Sequence, residues 1–103
     1  MNSFKRLQAW YAGQCDGVWE HDTGVQIHTI DDPGWFVRIG LRGTSLESRA
    51  FEPVDRLLPE QDWIRCRVRN GEFEACGGPE VLEEILYIFL DWAEEKAKAK
   101  ASA

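Results

Sequence analysis

The clearest pattern in the chain is the alternation of polar and apolar residues in WIRCRVRNGEFEAC, on both sides of Asn70-Gly71. Asn-Gly is typical of a two-residue β-turn, so this segment predicts a hairpin. Opposite charges then pair on one face and apolar side chains on the other: Arg69 with Glu72, Arg67 with Glu74, Val68 with Phe73, and Cys66 with Ala75. Two independent patterns therefore predict the same register.

Residues 25–30 and 35–41 alternate in the same way and predict a second hairpin, joined through Asp31-Asp32-Pro33-Gly34. Closing Ile30 against Gly34 gives both strands consistent faces, whereas a shift by one residue would mix them. The predicted pairs are Val25 with Ile39, Ile27 with Val37 and Thr29 with Trp35 on one face, and Gln26 with Arg38 and His28 with Phe36 on the other.

Helical spacing predicts a helix at each end of the chain. Residues 3–12 carry an apolar stripe, with Ser3 as the cap and Gly13 as the stop. The second helix is predicted to open at Pro79. Its apolar stripe is formed by Leu82, Ile85, Leu86, Phe89, Trp92 and Ala93. The tryptophans on these stripes, Trp10 and Trp92, and Trp35 in the sheet are expected in the core.

A further strand is expected over residues 49–55, around Phe51, with Pro53 placing it at a sheet edge. Residues 14–24 are expected to form a loop. The predicted fold is α+β, an antiparallel sheet of about five strands with an N-terminal and a C-terminal helix packed on one face. The 103 residues form one domain. Its ordered core is expected over about residues 3–96, followed by a frayed Lys/Ala tail.

Composition narrows the classes of function. The net charge of −6 disfavours nucleic acid and favours a basic partner. The longest apolar run, Ile85 to Leu90, is too short to cross a bilayer, and no signal peptide is visible. Three widely spaced cysteines fit free thiols in a reducing compartment, so a cytoplasmic protein is expected.

The segment CDGVWEH, residues 15–21, is the densest polar cluster. Cys15 with His21 or His28 as its base would be a nucleophile, but Cys15 follows a helix and adjoins Asp16, and both features disfavour a thiolate. Asp16, Glu20 and His21 match no metal motif of known geometry. The alternative is a structural loop in which Asp16 caps a turn and Trp19 reaches the core.

Asp31 and Asp32 have the form of a paired acid–base site, but a tight hairpin before Pro33-Gly34 needs such residues in any case. No catalytic residue, cofactor or metal site is therefore predicted. Alternation along the predicted strands places Phe36 and Trp63 on the outer face of the sheet, which also carries several arginines. That face is expected to contact a partner, a loop or a second subunit.

Three stretches together resemble the immunity protein 53 family of bacterial polymorphic-toxin systems: LQAWYAGQCDGVWEH, GVQIHTIDDPGWFVRIGL with GTSLE, and FEACGGPEVLEEILYIFLDW. The resemblance runs from about Leu7 to Trp92. Val18 stands where the family often has an acidic residue, and Asp32 where it often has Asn. Neither departure affects the expected fold.

The resemblance implies a protein that binds a toxin made by the same cell and blocks it without chemistry of its own. We expect an acidic surface of this protein to cover a basic catalytic cleft of the toxin. The protein is expected to be a monomer or weak homodimer and to bind neither membranes nor nucleic acid. The candidate toxin contacts are Asp16, Glu20, His21, Asp31, Asp32, Phe36 and Trp63. Two alternatives are a homodimeric adaptor using the Phe36 and Trp63 face, and a thiol enzyme using Cys15.

Overall fold

The computed structural model describes the backbone of residues 2–102 and the side chains of residues 2–94. The described residues form three helices, five strands and one 3-10 turn. In chain order they are α1 (Ser3–Gln14), α2 (Trp19–Asp22), β1 (Val25–Ile30), β2 (Gly34–Gly40), β3 (Val54–Arg56), the 3-10 turn (Glu60–Asp62), β4 (Ile64–Arg69), β5 (Glu72–Gly77) and α3 (Leu82–Ser102).

The five strands form one antiparallel sheet in the order β1-β2-β5-β4-β3. Every residue pair predicted for the two hairpins is confirmed. Asn70 and Gly71 have φ angles of 54° and 76°, the left-handed region that a two-residue hairpin turn requires and that these residue types tolerate. Gly34 belongs to β2 rather than to the loop, and a Cβ there would collide with the Gly77 carbonyl oxygen.

The strand predicted over residues 49–55 is wrong in its bounds, since only Val54–Arg56 pair with β4. The preceding residues make their hydrogen bonds to α3 instead of to a strand. Arg49 Nη1 donates to the Trp92 carbonyl oxygen at 2.9 Å, and Trp92 Nε1 donates to the Ala50 carbonyl oxygen at 2.8 Å. The edge position inferred from Pro53 is confirmed.

The ends of the helices differ from the predictions. Asn2 rather than Ser3 caps α1, with Oδ1 accepting from Lys5 N at 2.9 Å. Ser3 is buried and donates to Glu83 Oε2 at 3.0 Å. Helix α3 begins at Leu82 rather than at Pro79, whose carbonyl oxygen accepts a hydrogen bond from Trp35 Nε1 at 2.9 Å.

Both long helices cover the same face of the sheet, as predicted, and the core lies between the helices and the sheet. Phe89 lies at the centre of the core, and its ring contacts Trp10 and Phe73 at centroid distances of 5.0 and 5.1 Å. The buried hydrophobic residues of this cluster are Leu7, Val37, Ile39, Leu41, Leu46, Ile64, Cys66, Phe73, Ala75, Val81, Ile85, Leu86, Phe89, Leu90 and Trp92.

Of the three tryptophans expected in the core, Trp92 is buried, while Trp10 and Trp35 are half-buried. Trp10 still packs against the core cluster through its ring. The predicted fraying of the Lys/Ala tail falls beyond the described side chains and stays a prediction.

Candidate functional site: the uncovered sheet face and the acidic end of the sheet

The outer face is the face of the sheet that the helices leave uncovered. Antiparallel pairing places every second residue of each strand on it, because side chains alternate along a strand. Its charged members are four arginines and three carboxylates, joined by ion pairs: Arg65 with Asp55 at 3.2 Å, Arg67 and Arg69 with Glu74 at 3.3 Å each, and Arg38 with Glu72 at 3.6 Å. The charges of this face nearly cancel, so the negative excess of the chain lies elsewhere.

Phe36 lies on the outer face, as the sequence predicted, and is half-buried by its neighbours. The His28 ring stacks on it at a centroid distance of 5.1 Å, and the Arg38 guanidinium carbon lies 5.2 Å from its centroid. Phe36 and Cys76 border a shallow depression of about 280 Å³. The depression combines an aromatic surface with fixed charges, which is a surface that a protein partner can use.

The segment CDGVWEH includes the start of α2, a short helix where a loop was predicted, and its residues hydrogen-bond to one another. Asp16 Oδ1 accepts from the backbone N–H groups of Val18 and Trp19 at 2.9 and 3.0 Å. Glu20 returns the bonds, its two carboxylate oxygens accepting from Asp16 N at 2.9 Å and Gly17 N at 2.7 Å. This reciprocal arrangement satisfies the N–H groups of Val18 and Trp19 at the start of α2 and those of Asp16 and Gly17 in the loop before it.

These hydrogen bonds favour the charged forms of both acids. Bonds from the Trp19 and Val18 amides lower the pKa of Asp16, and backbone hydrogen bonds lower the pKa of Glu20. Trp19 anchors the segment as predicted, with its side chain buried against Trp10 and Tyr11 at centroid distances of 5.9 and 5.6 Å. Asp16 and Glu20 therefore have a structural role, whatever else they contact.

The remaining polar side chains of this segment are not organised for chemistry. Cys15 Sγ contacts the Tyr11 carbonyl oxygen at 3.4 Å. Among the described residues, no hydrogen bond joins that thiol to His21 or His28. His21 is exposed. The part of the chain with described side chains holds no group of three residues able to ligate a metal.

Asp31 and Asp32 form the exposed turn between β1 and β2, at the end of the sheet where three connections meet. Trp35 Nε1 ties this turn to the Pro79 carbonyl oxygen at 2.9 Å, and Gly78 N donates to the Trp63 carbonyl oxygen at 3.0 Å. The acidic end, as we name it, consists of five exposed carboxylates: Asp31, Asp32, Glu60, Asp62 and Glu80. No described cationic side chain lies within ion-pair distance of any of them.

Trp63 lies at the acidic end rather than beside Phe36. It precedes the first residue of β4, is half-buried, and its Cδ1 atom lies 3.6 Å from where a Cβ on Gly78 would stand. It does not line the depression at Phe36. Strand alternation therefore does not set the position of Trp63, because β4 begins one residue after it.

An apolar pair that was not predicted from the sequence lies beside the acidic end. Leu57 and Leu58 follow β3 and are 60% and 75% exposed, the largest exposures among the leucines with described side chains. They directly precede Pro59 and Glu60 of the acidic end. The signal for this pair in the sequence is that both leucines lie outside every predicted helical or strand stripe.

Five of the seven candidate contacts form two groups at opposite ends of β1, whereas Phe36 lies on the outer face and Trp63 at the acidic end. Asp16, Glu20 and His21 lie before this strand, and Asp31 and Asp32 follow it. Six strand residues span roughly 20 Å. One partner contacting both groups must therefore extend along β1.

Comparison with known proteins gives a match to one family model. The model of immunity protein 53 matches residues 4–94. No curated protein and no solved structure matches the chain significantly. Within the described residues, no helix is both long enough and apolar enough to cross a bilayer. Because the family model covers most of the chain, this protein belongs to the immunity protein 53 family.

Proposed function

We propose that this protein binds a cognate bacterial toxin in the cytoplasm of the cell that makes it and blocks the toxin's active site. The block is steric and electrostatic, and the protein contributes no chemistry of its own. The family match over residues 4–94 is the observation that carries this proposal.

The distribution of charge favours the acidic end as the docking surface. The arginines of the outer face are bound to carboxylates, whereas the five carboxylates of the acidic end have no described ion-pair partner. Unpaired surface charge of one sign speeds the encounter with a surface of the opposite sign. A toxin with a basic catalytic cleft, as enzymes acting on nucleic acid have, fits this end.

The exposed leucines supply apolar surface that can be buried on binding, which the carboxylates do not. Exposed charges give on-rate and specificity, whereas most binding energy comes from a few apolar or aromatic anchors that lose their water. Leu58, at 75% exposure, lies directly before the acidic end and can enter a pocket on the toxin. The proposed surface is thus an acidic region with an apolar anchor at its margin.

The primary experiment measures inhibition of the toxin encoded beside this protein. We expect co-purification and complete inhibition near a one-to-one ratio, with an association rate that falls as salt is added. Absence of binding at micromolar concentration would contradict the proposed function.

Matched variants locate the surface. Asp31→Lys and Leu58→Ala should each weaken toxin binding by at least tenfold. The controls carry changes of the same kind elsewhere: Glu52→Lys reverses an exposed charge before β3, and Phe4→Ala truncates an apolar side chain that is 59% exposed on α1. Each control should keep the affinity within about threefold, since neither side chain belongs to the proposed surface. Equal losses in variants and controls would place the toxin elsewhere.

A further inference from the structure

Strand β1 is an edge of the sheet, and no strand of the described chain pairs with its outer side. Gly40 N donates to the Gly24 carbonyl oxygen at 2.9 Å, which fixes the bonded positions because they alternate along an antiparallel pair. Residues 24, 26, 28 and 30 therefore bond to β2. The N–H and C=O groups of Val25, Ile27 and Thr29 point away from the sheet.

No backbone hydrogen bond from another described element reaches these three residues. Thr29 is exposed, and His28 Nδ1 lies 3.2 Å from its carbonyl oxygen, which accepts a hydrogen bond from that nitrogen when Nδ1 carries the proton. Val25 and Ile27 are half-buried because their side chains pack on the core side, while their outward backbone groups lie at the rim.

The two edges of the sheet differ in how they are protected. Edge strands are normally blunted by shortness, charge or proline, since free backbone groups invite pairing. Strand β3 has all three protections: it is three residues long, carries Asp55 and Arg56, and follows Pro53, which has no N–H. Strand β1, with the sequence VQIHTI, has six residues, no charge and no proline.

We propose that the β1 edge is a docking site for an extended strand of the toxin, which adds itself to the sheet as a sixth strand. This proposal rests on the proposed function and specifies how the toxin is held. Backbone hydrogen bonds to the three outward residues would supply affinity, as in other cases of strand addition.

Charge selects the toxin strand over a second copy of this chain. Pairing β1 with itself through all three outward residues centres the pair on Ile27. In that register Asp22, at the end of α2, and Asp32, in the turn after β1, flank the same end of the paired strands from the two copies, so like charges approach at both ends. Neither aspartate has a described ion-pair partner. A strand with a neutral centre and basic residues at both ends avoids this repulsion and forms opposite-charge pairs instead.

Amide hydrogen exchange measured by NMR tests the proposal directly. In the free chain, the amides of Val25, Ile27 and Thr29 should exchange fast and those of Gln26 and His28 slowly. Binding the toxin encoded beside this protein should slow the three outward amides by at least tenfold. Slow exchange of these amides in the concentrated chain alone would overturn the choice of occupant and indicate self-pairing.

A substitution at Thr29 supplies an independent test. Thr29→Pro removes an outward N–H and no bond to β2, so the chain should fold and toxin affinity should fall at least tenfold. The control Thr29→Ala removes the side chain and keeps the N–H, and should stay within about threefold. If Thr29→Pro does not fold, the exchange pattern of the unaltered chain decides.

The outcomes separate this proposal from the one on which it rests. Toxin binding with unchanged exchange at Val25, Ile27 and Thr29 would overturn strand addition and leave the immunity function standing. Failure of the unaltered chain to bind the toxin would overturn both.

Discussion

Two buried tryptophans differ in whether the indole N–H is hydrogen-bonded, and that difference predicts how their replacement affects stability. Trp19 and Trp92 are both 6% exposed, and each ring contacts two aromatic neighbours. Trp92 Nε1 donates to the Ala50 carbonyl oxygen at 2.8 Å, whereas Trp19 Nε1 is buried without an acceptor among the described atoms. Trp92→Phe removes an N–H that is hydrogen-bonded, and Trp19→Phe removes an N–H that is not.

The size of the difference follows from hydrogen-bond energetics. Both substitutions shorten a buried ring, so the packing losses largely cancel when the two variants are compared. Trp92→Phe also loses a hydrogen bond with a net value of about 1 kcal/mol. Trp19→Phe removes a buried donor that costs about 1–3 kcal/mol when left unsatisfied. Trp92→Phe should therefore be less stable than Trp19→Phe by about 2–4 kcal/mol.

Urea unfolding followed by far-UV circular dichroism measures this difference without relying on tryptophan fluorescence. In thermal unfolding, the gap corresponds to a Tm difference of roughly 10 °C or more, at about 4–8 °C per kcal/mol for a domain of this size. Equal losses, or a larger loss for Trp19→Phe, would refute the reasoning and indicate that the Trp19 N–H is hydrogen-bonded in solution. Toxin binding should be unchanged in Trp19→Phe, because the ring that anchors the Asp16 and Glu20 cap remains.

Two further predictions concern titration and thiol reactivity. The pKa values of Asp16 and Glu20 are lowered in the folded chain below their ordinary values of 3.8 and 4.5, so their stabilising effect is complete above those values and is lost as the pH falls through the folded ones. The advantage in urea midpoint of the unaltered chain over Asp16→Asn should thus be constant from about pH 6 to 8 and shrink below about pH 4; an advantage independent of pH would contradict the capping role. Burial raises the pKa of Cys66 to about 12, so iodoacetamide at pH 8 should label exposed Cys15 at the rate of an ordinary free thiol and label Cys66 only on unfolding. Labelling of Cys15 much faster than a free cysteine would instead support the thiol-enzyme alternative.

The way charge is distributed bears on how the family's function is carried out here. A net charge of −6 by itself suggests an acidic surface everywhere. The fold instead places four arginines on one sheet face and neutralises them there, so the acidic end carries unpaired carboxylates in a small area. Under the proposed function, the acidic end attracts a basic toxin more strongly than the neutralised sheet face does.

The sequence by itself determined the α+β class and the register of both hairpins, because side-chain alternation and turn residues act over a few neighbouring positions. Asn70-Gly71 restricts its turn locally, and a slip by one residue would bury Arg67. The same local signals identified Trp19 as the anchor of its loop. They failed where a hydrogen-bond partner lies far along the chain: Ala50 bonds to Trp92, and Pro79 bonds to Trp35.

Only the tertiary structure decided which candidate residues lie together. The acidic end forms because three connections distant in sequence meet at one end of the sheet, whereas the reciprocal bonds of Asp16 and Glu20 span at most four residues and are local. The free side of β1 is likewise invisible in sequence, since an edge is defined by which strands fail to pair with it. Local propensity fixes elements, whereas long-range pairing fixes surfaces, and binding depends on surfaces.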